Sequence, residues 1–170
     1  VSRERLRVLL NLHQQHIENT CRLYGAQRVP VGGACIKMIF PAKTNESDAA
    51  FQAACCAYVL TGLLQDCADP EMGIRLQWAM ALDWHVAGSN ELLRNAQRSQ
   101  DEQRSHWLCE QIGAGQFACS AEVAERLGTQ DKVMLVETSG TGGRLFYRLG
   151  LVQDAHRKML ERQIDQLHDL

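Results

Sequence analysis

The stretch Gln27-Arg28-Val29-Pro30-Val31-Gly32-Gly33-Ala34-Cys35-Ile36-Lys37-Met38-Ile39-Phe40 decides how the rest of the chain is read. Two β-rich runs flank a Gly-Gly pair, the pattern of a hairpin closed by a two-residue turn. Glycine alone takes positive φ at both central positions without steric cost, so the pair is expected to set turn and register. Helical patterns lie on either side, over residues 2–24 before it and 47–67 after it.

In the first helix Leu6, Leu10, His13, Ile17, Cys21 and Tyr24 step by three and four, a core-facing stripe ended by Gly25. His13 and His16 read as core histidines, because no cysteine or carboxylate stands at ligand spacing around them. Asn45 or Ser47 caps the second helix, with Asp48 in its first turn and Phe51, Cys55, Tyr58, Val59 and Leu63 on its buried face. After a loop over 65–73, residues 74–82 partly alternate as a strand does, and the strand is expected to continue through His85-Val86 to a stop at Gly88. Helix, hairpin, helix and strand in this order predict an α+β fold. It is the middle of a split βαβ, ferredoxin-like sheet with helices packed on it.

Residues 90–111 turn helical again but strongly polar, and Trp107, Leu108 and Ile112 are expected to dock the later part. Gly113-Ala114-Gly115 breaks the helix before a short strand over 116–119. Ser120 then caps a helix that stops at Gly128. Strands over 132–137 and 144–149 are joined by Ser139-Gly140-Thr141-Gly142-Gly143. This run lacks the downstream Lys-Ser/Thr and following helix of a phosphate cradle, so it reads as a hairpin loop. Residues 152–167 form an amphipathic helix with Val152, Met159, Leu160, Ile164 and Leu167 as its apolar set. The expected organisation is one domain over 1–150 and a C-terminal helix over 151–170.

At 170 residues the chain is long enough for a real core, and 45% of it is hydrophobic. A formal charge of −2 gives no electrostatic footprint for nucleic acid. No apolar run approaches the roughly 20 residues that span a bilayer, so membrane attachment is expected only through segments outside this chain. The opening Val1-Ser2-Arg3-Glu4 has no initiator Met and suggests a piece of something longer. Seven cysteines, at 21, 35, 55, 56, 67, 109 and 119, form no C-x-x-C pair. They read as reduced core residues in a cytoplasmic protein.

Several stretches together resemble the class III nucleotide cyclase homology domain, the catalytic fold of adenylate and guanylate cyclases. Tyr24-Gly25, Val29-Pro30-Val31-Gly32-Gly33 and Ile36-Lys37-Met38-Ile39-Phe40 are similar to that family's run from its first helix into its hairpin. The segment from Gln77 through Asp83 to Val86-Ala87-Gly88 stands where the family has a strand ending in V-x-G. Gly115-Gln116-Phe117-Ala118-Cys119-Ser120 is the most specific match, to a G-Q-I-x-x-S strand and helix. The Gly-Gly pair is also similar to the Gly-Gly-Asp/Glu-Glu-Phe hairpin of diguanylate cyclases, without its acids.

The resemblance implies a nucleotide pocket whose positions fall on Val29, Gly33, Asp83, Gln103 and Trp107. It also implies departures. The family's metal-binding aspartate at the hairpin tip falls on Gly33. Its transition-state Asn and Arg fall on Gln103 and Trp107, and its purine-reading Lys on Val29. The first strand, which carries the second metal aspartate, would lie before residue 1. Phosphoryl transfer is mostly positioning and charge stabilisation, so these losses predict a domain with no activity, no metal and no cofactor. The expected role is a non-catalytic regulatory or protein-interaction domain, the cytoplasmic part of a larger bacterial membrane or signalling protein. Expected partners are a second copy or another protein; the alternative role is a sensor of a purine nucleotide or cyclic dinucleotide.

Overall fold

The structure is a computed structural model, and it describes residues 2–31, 35–42, 45–65, 67–76, 78–86, 91–128 and 132–170. The chain separates into two compact units. One holds Val1–Trp78 with Asp154–Leu170, the other Ala79–Gln153.

In the first unit, α1 (Arg3–Tyr24) ends at Gly25, whose φ of 62° is the left-handed cap expected there. Its buried stripe is Leu9, His13, His16, Ile17, Thr20 and Cys21. Leu10, expected inside, is 48% exposed. Starting the stripe at Leu9 keeps the step to His13 at four and puts Leu10 a further 100° round the helix. Strands β1 (Gln27–Pro30) and β2 (Ile36–Ile39) pair antiparallel, Gln27 with Ile39 and Pro30 with Ile36. This register leaves residues 31–35 between the paired ends. A turn centred on Gly32-Gly33 would pair Val31 with Ala34, whereas the observed pairing is centred one half-step further on. Gly32, Gly33 and Ala34 themselves lie outside the described residues.

Helix α2 (Glu46–Gln65) starts at Asn45, whose Oδ1 accepts from the Ser47 N–H at 2.9 Å. It is long and apolar enough to cross a bilayer by length and composition, which corrects the expectation that no apolar run approaches that length. Val59 and Leu63 are fully buried, however, and ten of its residues are core residues, as befits the central helix of a globular unit. The expected strand over 74–82 is divided: β3 (Ala68–Asp69) pairs with β4 (Ile74–Arg75) in this unit. Helix α5 (Asp154–His168) packs on α2, where Ile164 closes over Gly62; a Cβ on Gly62 would stand 2.5 Å from Ile164 Cδ1. Leu160 and Leu167 are buried as expected, while Met159 is 43% exposed. Val152 belongs to a strand, not to this helix.

The second unit carries a four-stranded sheet in the order β5-β6-β8-β7, with β5 Met80–Leu82, β6 Phe117–Cys119, β7 Val133–Ser139 and β8 Leu145–Val152. β5 runs parallel to β6, and β8 is antiparallel to both β6 and β7. A parallel pair needs a crossover, supplied here by α3 (Glu91–Gln111). Leu108 and Ile112 meet Ala118 and Phe146 in its core, the docking the sequence predicts for this part of the helix. Helix α4 (Ala121–Gly128) buries Val123, Ala124 and Leu127. Ser120 contributes its carbonyl to the Ala124 N–H at 3.0 Å. Its buried hydroxyl has no hydrogen-bond partner among the described residues, so the side chain does not act as the cap. Gly142 and Gly143, with φ of 72° and 73°, turn β7 into β8.

Candidate functional site

Of the five expected pocket positions, three fall in the second unit. Asp83 follows β5 directly, and its carboxylate is 3% exposed. It is held on both oxygens: Oδ1 accepts from the Trp84 N–H at 2.9 Å, and Oδ2 from Arg104 Nε at 2.7 Å. Ser105 Oγ lies 3.4 Å and His85 Nε2 3.3 Å from the same Oδ2. The other ring nitrogen of His85 is 3.5 Å from Oδ2 of Asp101, a carboxylate 5% exposed. Arg104 completes the set, donating Nη2 to the Trp84 carbonyl at 2.8 Å, with Asp101 and Glu122 each 3.7 Å from its guanidinium. Asp101 and Arg104 are one helical turn apart on α3, so one face of that helix brings both to the end of β5.

Burial by itself would raise the Asp83 carboxyl, because desolvation disfavours the charged form. Hydrogen bonds from His85 and Arg104, with the Arg104 charge, outweigh it and hold the group down to about 2. The Ser120 hydroxyl adds to this pull without reaching hydrogen-bond geometry. Among the described residues, no group of three His, Cys, Asp or Glu side chains has the geometry to hold a metal ion. Asp83 Oδ2 is surrounded by Arg104, Ser105 and His85, and Arg104 brings a positive charge to it.

Gln103 is exposed on α3 beside Arg104. Trp107 is turned to other partners. Its Nε1 donates to Thr141 Oγ1 at 3.1 Å, its ring meets Phe146 edge-on at 6.2 Å, and Arg144 lies 5.3 Å over it. It therefore fastens the β7–β8 hairpin to α3. Val29 pairs with Lys37 in the hairpin of the first unit, and Gly33 lies outside the described residues. Among the described residues, one shallow depression of about 370 Å³ lies beside Ser2, Arg5, Glu71 and Met72, and another of about 500 Å³ beside Glu122, Glu125, Leu135 and Tyr147. Neither is lined by an expected pocket residue. His85, which the sequence places only along a strand, and Asp101, to which it assigns no role, both belong to this cluster; the Asp101–Arg104 spacing is the signal available for the second.

No family model matches the chain, and no curated protein matches it in sequence. Solved structures do match. The guanylate cyclase domain of RhGC from Catenaria anguillulae, in complex with GTP, superposes with a TM-score of 0.61 at 12% identity over 90% of this chain and 87% of its own. A guanylyl cyclase domain of the RhoGC fusion protein from Blastocladiella emersonii, in monomeric form, gives 0.64 at 10% identity over 90% and 85%. The adenylyl cyclase CyaB from P. aeruginosa gives 0.58 at 13% identity over 91% and 86%.

These likenesses correct one expectation. Position counting predicted a chain that is no enzyme, yet the domains it superposes on are cyclase catalytic domains. At 10–13% identity, counting along the sequence does not establish which side chain lines a pocket, so a glycine at one counted position is no proof of lost chemistry. The fold itself stands on the superposition: this chain has the fold of the class III adenylyl and guanylyl cyclase catalytic domains.

Proposed function

We propose that this chain is a nucleotide-cyclase-related signalling domain that binds a purine nucleoside triphosphate and works as a pair of chains within a larger cytoplasmic signalling protein. The observation that carries the reading is the superposition over about nine-tenths of the chain on a guanylate cyclase domain in complex with GTP. A second solved relative, with converted specificity, holds ATPαS, which keeps both purines in view. A dimeric form of the Blastocladiella emersonii domain supports the pairing.

The test is calorimetric titration of the chain with GTP, ATP and cyclic dinucleotides, with and without magnesium. Saturable heat for one of the triphosphates is expected, and a flat titration at millimolar ligand would sink the proposal. Chromatography of the same mixtures with manganese present reads any cyclic nucleotide formed. Light scattering reads the pairing, for which the expected mass is twice the 19.1 kDa of the chain.

A further inference from the structure

No further inference is drawn: the strongest candidate, the outer edge of the four-stranded sheet at β7, where Met134 and Val136 stand exposed on one face of the strand, carries nothing because nothing in the structure shows what covers it.

Discussion

Arg104 Nε sits 2.7 Å from Asp83 Oδ2, joining the middle of α3 to the residue that follows β5. The carboxylate is almost fully buried and the guanidinium is 30% exposed, so the two sides of the pair are unequal. Removing the cation strands a buried anion, whereas removing the anion leaves an arginine that can turn to water and to Glu122. Arg104→Ala is therefore expected to cost about 2–3 kcal/mol in urea unfolding, and Asp83→Asn less. The double variant Asp83→Asn/Arg104→Ala should lose clearly less than the sum. Strict additivity would show that the two side chains do not act as a unit.

The same carboxylate gives the second unit an acid limit. Its folded value, about 2, lies below the ordinary 3.8, so the unfolded chain takes up the proton first. The associated stability is complete above pH 4 and is lost as pH falls towards 2. It amounts to roughly 2 kcal/mol, from about 1.4 kcal/mol for each pH unit of difference. Asp83→Asn should flatten the stability curve over that window, and an unchanged acid limb would refute the assignment.

His13 acts in the same direction along the pH axis, but at a higher pH. Burial lowers its pKa, and the charge of His16 lowers it further; its ring is stacked on Trp78 at 5.0 Å. Folding thus favours the neutral ring. The first unit should keep its full stability above pH 6.5 and lose stability as pH falls below it, where the unfolded chain binds the proton more readily. His13→Phe preserves the stacked shape without a titrating nitrogen. It should remove most of the slope between pH 7 and 5 in thermal melts.

Gly140 is required for space, because its φ of −95° suits any residue. A Cβ there would stand 2.9 Å from Trp107 Cζ2 and 2.9 Å from Gln111 Oε1. Gln111 Oε1 also accepts from the Thr141 N–H at 2.9 Å, so neither neighbour can move without breaking the latch on the hairpin. Gly140→Ala is expected to cost about 1–3 kcal/mol and to shift the Trp107 fluorescence. Gly25→Ala makes the contrast: nothing lies within 4 Å of its Cβ position, and its cost comes from φ alone.

Phe146, 1% exposed, is the largest side chain in the cluster formed with Leu108, Ile112 and Ala118. Phe146→Ala should cost about 3–5 kcal/mol in denaturant unfolding. Val136→Ala, on the exposed side of the neighbouring strand, should change stability by no more than about 0.5 kcal/mol.

Local physics made much of this legible from the chain alone. The period of α1, the left-handed Gly25, the Asn45 cap and the break at Gly113–Gly115 depend on neighbours within a few residues, and each appears where the sequence places it. Which residue of α1 faces inward, the register of β1 on β2 and the split of residues 74–82 depend on packing between elements, and there the local pattern alone does not decide. The Asp83–Arg104–Asp101–His85 cluster shows the limit most clearly. Sequence supplied the polar helix and the strand end separately. Only tertiary structure brought them together, because a buried carboxylate must find its donors wherever the fold sets them, and 21 positions separate Asp83 from Arg104.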